Sequence, residues 1–151
     1  MNKAILISLN PEFCDEIIRR EKTLEIRKSK PKIEPIFKCY IYCTKNFKIG
    51  TSYSYKTWAS RGKIIGEFVC DKISAFRVLE NGAVQDFNFE NLNRSCLSYE
   101  KISEYIGRNM TGYSWQITDL VVYDMPKELS YFNLKRPPQS WCYVDYPEKE
   151  M

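Results

Sequence analysis

The apolar residues of this chain fall in short runs, mostly with strand periodicity, and proline, glycine or asparagine separates them. Residues 4–9 read as a buried strand. Asn10-Pro11-Glu12 then opens a helix: asparagine caps, proline takes the first helical position, and glutamate suits the positive end of the dipole. Phe13, Cys14, Ile17 and Ile18 keep helical spacing, and the helix runs to about Arg20. From Lys22 to Arg27 the period drops to two, with Leu24 and Ile26 on one face and Thr23, Glu25 and Arg27 on the other. Pro31 and Pro35 precede a strand over residues 36–43, and residues 63–73 carry the strongest strand signal. Gly66 inside that run points to a bulge or a close backbone approach. Ser98 caps a short helix that Gly107 ends, and residues 115–123 form another strand, ended by Pro126. A helical turn over 127–131 and a last strand over 141–144 follow. Residues 44–61, polar and aromatic, read as a long loop or lid, and residues 78–97 as irregular chain.

Five or six strands with two or three short helices, lacking regular strand–helix alternation, predict an α+β barrel rather than a doubly wound sheet. At 151 residues the chain is one domain that can bury its own core without a staple. No stretch approaches the ~20 apolar residues of a membrane span, and residues 1–8 are too briefly apolar for a signal peptide.

There is no histidine. Imidazole bases, Ser-His-Asp and Cys-His nucleophiles and His-ligated zinc are therefore excluded. The six cysteines, at 14, 39, 43, 70, 96 and 142, include no Cys-x-x-Cys pair and read as buried free thiols of a reducing cytoplasm. Net charge is +4, unevenly placed: residues 1–75 hold 15 Lys/Arg against 8 Asp/Glu, and residues 76–151 hold 8 against 11. A basic first half suits a polyanionic partner, or is simply a solvated basic face.

Charged residues crowd the run Arg20-Glu21-Lys22-Thr23-Leu24-Glu25-Ile26-Arg27. Glu25 and Arg27, two apart on a strand, project on one side roughly 6.5–7 Å from each other. Facing water, they make a polar strand face; facing a barrel mouth, Lys22, Glu25 and Arg27 make a pocket with donors, an acceptor and a fixed charge. A single-stranded base needs such groups plus an aromatic platform. Tyr113, Trp115 and Trp141 are platform candidates, each with a core alternative; Lys22, Lys45, Lys48, Lys56 and Arg61 could hold phosphate.

The succession of strand, Asn10-Pro11-Glu12 helix and Lys22-x-x-Glu25-x-Arg27 strand resembles the ASCH domain family, whose hallmark is Gly-x-Lys-x-x-Glu-x-Arg on a PUA-like β-barrel. The resemblance continues through Gly62-Lys63-Ile64-Ile65-Gly66-Glu67-Phe68, Tyr113-Ser114-Trp115-Gln116-Ile117-Thr118-Asp119 and Arg136-Pro137-Pro138-Gln139-Ser140-Trp141. The hallmark glycine falls on Arg20. The resemblance implies one domain over residues 1–151, a PUA-like mixed β-barrel whose motif lines a cleft for RNA or a modified nucleoside. Lys22, Thr23, Glu25 and Arg27, with Tyr113, Trp115 and Trp141, are then the candidate binding residues, and no metal or cofactor is expected.

Some members of that family deacylate N4-acetylcytidine with a lysine, a threonine and a glutamate, and others are nucleases. Lys22 matches the amidohydrolase lysine, while their threonine falls on Glu25. As a hydrolase, the chain would use Lys22 to activate water or attack directly, with Glu25 or Glu67 moving protons. As a metal-independent ribonuclease it would stabilise the transition state with Lys22, Arg27 and a tyrosine. A third reading is a protein-binding module that uses exposed aromatics.

Overall fold

The computed structural model describes residues 3–86, 88 and 90–145. β1 (Lys3–Leu9) leads into α1 (Pro11–Ile18), β2 (Leu24–Arg27) and β3 (Phe37–Cys43). α2 (Tyr55–Ala59) precedes β4 (Lys63–Cys70), β5 (Ile73–Val78) and β6 (Val84–Gln85). A 3₁₀ turn at Leu92–Ser95, α3 (Tyr99–Ile106), β7 (Thr111–Gln116) and β8 (Thr118–Lys127) come next. A second 3₁₀ turn at Leu129–Phe132 and β9 (Trp141–Asp145) complete the order. Ser98 caps α3 by accepting from the Lys101 N–H, and Gly107 closes it, as the sequence predicts.

The strands of the described residues form two sheets, ordered β8-β4-β3-β1-β9 and β2-β7-β5-β6. β1 and β3 run parallel, and the other pairs are antiparallel. The fold is mixed α+β, but the sheets are not closed into the predicted barrel, and nine strands replace the five or six expected. Two predicted strands each reach into two, because the chain crosses between sheets near the end of the first and near the start of the second. The run 63–73 divides into β4 in the first sheet and β5 in the second. The run 115–123 divides at Ile117, where the Ile117 N–H donates to Thr23 O (3.0 Å) and Asp119 adopts a φ of 50°. The two corners touch: Gln116 N–H donates to Lys72 O at 3.0 Å. β4–β5 and β7–β8 are thus one two-stranded ribbon bent across both sheets.

Gly66 combines the two features its position suggests. The β4–β8 register shifts beside it, and a Cβ there would run into the Val121 carbonyl oxygen. Pro126 does not end its strand: β8 lies at a sheet edge, where a missing N–H breaks no ladder. The segment 78–97 contains β6 and the first 3₁₀ turn, which buries Leu92.

Both faces of the first sheet are covered, which is why β1 and β3, apart from Lys3, Ser8 and Lys38, are runs of apolar and aromatic residues. Ile5, Ile7, Cys39 and Ile41 join Cys14 and Ile17 of α1 in one cluster. Leu6, Tyr40, Tyr42 and Val144 form another on the opposite face. On the second sheet, Leu24 and Ile26 pack with Ile102 and Ile106 of α3. Cys14, Cys39, Cys43 and Cys70 are buried free thiols, whereas Cys96 is exposed and Cys142 half-buried. No helix among the described residues is long and apolar enough to cross a membrane.

Candidate functional site

The route to the site begins where α1 stops. Glu21 N–H donates to Glu16 O (3.0 Å) and Arg20 N–H to Ile17 O (2.8 Å), with Arg20 left-handed at φ 63°. This is a Schellman turn, in which the left-handed position is usually glycine. Arg20 therefore makes the turn expected of the hallmark glycine, at a backbone cost of about 1–2 kcal/mol. The turn carries Lys22 indoors, where it is 1% exposed. β2 then follows with its apolar face against α3, leaving Glu25 and Arg27 on the opposite face. That face meets protein and a cleft rather than open water: Glu25 is 6% and Arg27 7% exposed.

The three charges form one cluster. Lys22 Nζ lies 3.1 Å from Glu25 Oε1, and Arg27 Nε lies 2.7 Å from Glu25 Oε2. Lys22 also donates to Ser95 O (2.8 Å) and sits 5.3 Å from the centre of the Phe13 ring. Arg27 reaches across to the first sheet, donating to Ser8 O (2.9 Å) and to Ser140 Oγ (3.0 Å). Burial opposes ionisation of Glu25, but Lys22 and Arg27 together outweigh it and hold the carboxyl below its usual range. Glu25 is thus a carboxylate at neutral pH. Two cations against one anion leave the cluster with an unbalanced positive charge.

The cluster opens into a cleft of about 720 Å³. It lies at the carboxyl ends of the parallel strands β1 and β3. Phe13 of α1 and Tyr105 of α3 supply aromatic wall, and Lys101, four residues before Tyr105, shares its helix face. Tyr42 and Tyr105 also line the cleft, and neither hydroxyl has a hydrogen-bond partner among the described residues. Burial pushes both phenols up, so both remain O–H groups. Asn10, read from sequence as a helix cap, makes no side-chain cap bond. Its Oδ1 instead accepts from Thr44 Oγ1 (2.9 Å) and Asn46 Nδ2 (3.1 Å), tying the start of α1 to the end of β3 at the cleft.

Of the candidate binding residues, Lys22, Glu25 and Arg27 line this cleft; Thr23, Tyr113, Trp115 and Trp141 do not. Thr23 Oγ1 accepts from Arg94 Nε (2.8 Å), holding the first 3₁₀ turn against β2. Trp115 faces Glu25 across the β2–β7 ladder but is fully buried, edge-on to Phe37 and Trp141 at 5.9 Å each. So large an apolar surface is held by the core between the sheets. Tyr113, opposite Arg27, packs on the same core under Lys30, and Trp141 donates its Nε1–H to Ser29 Oγ at 3.1 Å. Glu67, the candidate second carboxylate, also lies outside the cleft lining, salt-bridged to Lys38 (2.8 Å) and accepting from Tyr123 O–H (2.6 Å). The aromatics that do line the cleft, Phe13, Tyr42 and Tyr105, carry core-like signatures in the sequence. Only the i, i+4 pairing of Lys101 with Tyr105 on an amphipathic helix marks a polar wall.

The segment 44–61, read as a loop or lid, contains α2. Asp15 accepts from Ser54 N–H (3.2 Å), Ser54 Oγ (2.7 Å) and Thr57 Oγ1, stapling α2 to α1. Its first residues, Thr44, Lys45 and Asn46, line the cleft.

No protein-family model and no curated protein matches this sequence. Among solved structures, the chain is similar to the crystal structure of ASCH from Zymomonas mobilis: TM-score 0.70, 21% identity, covering 97% of this chain and 91% of that one. A Tyr-to-Phe mutant of the Zymomonas mobilis protein matches with TM-score 0.70 and 20% identity, covering 97% of this chain and 94% of the mutant's. A Ser-to-Ala mutant matches with TM-score 0.67 and 20% identity, covering 97% and 92%.

Proposed function

Starting from the ASCH fold and this cleft, we propose that the chain binds RNA or a modified nucleoside and seats one base against the Lys22–Glu25–Arg27 cluster. The observation that carries this reading is the buried cluster of two cations and one carboxylate opening into a cleft with aromatic walls. Glu25 set between Lys22 and Arg27 gives the cluster an acceptor as well as donors, which suits a ligand edge carrying both better than a simple anion. A base edge offers N–H groups to Glu25 and carbonyl or ring-nitrogen acceptors to Lys22, which keeps one of its three donors after Ser95 O and Glu25. Phe13 or Tyr105 offers a ring for stacking, and Lys45 and Lys101 bring positive charge for phosphate at the rim. A hydrolase would have to work with Lys22 and Glu25 but without Glu67, so binding is the reading adopted here. The free thiols suit the reducing cytoplasm proposed as its compartment.

Fluorescence titration with short single-stranded RNA and with a nucleoside panel, N4-acetylcytidine included, tests the proposal. At ~50 mM salt, where phosphate contacts are strong, binding is expected and should weaken as salt rises. Tyr105→Ala should weaken it by about 5- to 150-fold, the equivalent of one lost stack. Absence of binding to every probe at that salt overturns the reading.

A further inference from the structure

A second hollow, of about 510 Å³, is lined by Lys45, Phe47, Trp58, Ala59, Arg61 and Lys63. Lys45 lines the cleft as well, so the two meet at one side chain. Trp58 is 48% exposed even though its position is fixed on two sides. The Phe47 ring meets it edge-on at 5.1 Å and 90°, and the Arg61 guanidinium lies 4.3 Å from its centre. Arg61 donates Nη1–H to Trp58 O (2.8 Å), which tethers the guanidinium beside the indole. A tryptophan held this firmly and left half in water is a platform more than a core residue.

The charges around it are unequally spent. Lys48 and Lys56, on the same segment, are occupied by Glu12 and by the carbonyls of Tyr123 and Asp124. Lys45 has no ion-pair or hydrogen-bond partner among the described residues. Its stem lies over Gly62, where a Cβ would come within 2.6 Å of Lys45 Cε. Gly62, at φ 72°, thus serves both the turn and the bed of the lysine. Among the described residues, the one ion pair of Lys63 is with the exposed Glu128, at 3.4 Å.

We propose that this hollow is a second subsite, taking the neighbouring nucleotide of a single-stranded RNA whose first base sits in the cleft. The base stacks on the Trp58–Arg61 pair, and Lys45 and Lys63 hold the phosphate between the two subsites. The inference rests on the nucleobase reading of the cleft and extends it from a lone nucleoside to a strand.

Fluorescence anisotropy on the full chain tests it, with labelled RNA oligomers compared against the unlabelled mononucleotide in competition. The oligomer is expected to bind at least about tenfold tighter than the mononucleotide, one base stack being worth that much. Trp58→Ala should cut the oligomer-to-mononucleotide affinity ratio by about 5- to 150-fold, and Trp58→Phe should restore much of it. Lys45→Ala should lower the slope of log affinity against log salt by about 0.7. If the mononucleotide binds but Trp58→Ala and Arg61→Glu leave that ratio unchanged, the subsite is refuted and the cleft reading stands. If neither mononucleotide nor oligomer binds, both fall. If a polyglutamate peptide competes as well as RNA and Trp58→Ala does not discriminate them, the hollow is a site for acidic chains and the proposal is wrong.

Discussion

Replacing Glu25 by glutamine removes the one anion between two buried cations. At an effective dielectric of about 20, a contact of the length of Lys22–Glu25 or Arg27–Glu25 is worth roughly 5–6 kcal/mol before desolvation is subtracted. Measured losses for breaking a buried pair from one side are about 3–5 kcal/mol, because the abandoned charge stays buried. A domain of this size has about 5–15 kcal/mol in all, so Glu25→Gln should lower the melting temperature by about 6–20 °C. The effect has a pH signature. Glu25 ionises more readily folded than unfolded, so its contribution is fully present above its ordinary value of 4.5 and is lost as pH falls through the lower folded value. The gap between wild type and variant should therefore be flat from about pH 7 to about pH 5 and shrink below that. Glu90, also held low by Lys72, is present in both proteins and cancels. Urea unfolding followed by tryptophan fluorescence at several pH values measures the gap. A difference under about 1 kcal/mol at neutral pH, or one that stays constant into acid, would refute the electrostatic account of the cluster.

Thiol chemistry gives a second check: in the native protein Cys96 should react first with a disulfide reagent and Cys142 more slowly. Cys14, Cys39, Cys43 and Cys70 should stay silent until denaturant is added, since they are buried and burial pushes Cys70 up to about 12. Rapid reaction of more than two thiols would contradict the packing. At the end of α1, Arg20→Gly should leave the urea midpoint unchanged or raised, whereas Arg20→Val should cost about 1–2 kcal/mol, because a β-branched residue fits the left-handed turn poorly. Equal effects from the two substitutions would show that the turn's backbone does not govern that position.

What the sequence reveals, and what it hides, follows from the range over which each decision is made. The period-two run ending at Arg27 announces its two faces locally, and the structure keeps them: Leu24 and Ile26 against α3, Glu25 and Arg27 opposite. Whether the polar face meets water or a cleft is decided by Ser8 O and Ser95 O, 19 residues from Arg27 and 73 from Lys22 respectively, and no local pattern contains them. The helix after Ser98 is legible because its cap and its closing glycine lie within a few residues of it. The crossings after Cys70 and at Ile117 are not, since the chain on either side of each reads as strand. Trp115 and Trp58 show the same limit from opposite sides. An indole carries no local mark of core or platform; Phe37 and Trp141 enclose one, while the other stays half in water on α2.

The bent ribbon of β4–β5 and β7–β8 has a mechanical side. Ser8 and Tyr42 stand on the first sheet and Glu25 and Arg27 on the second, so the cleft lies between the sheets, and the corner where Gln116 N–H donates to Lys72 O is one of the joints that space them. Side chains packed at that corner bear on the spacing of the two sheets, and so on the width of the cleft, without lining it.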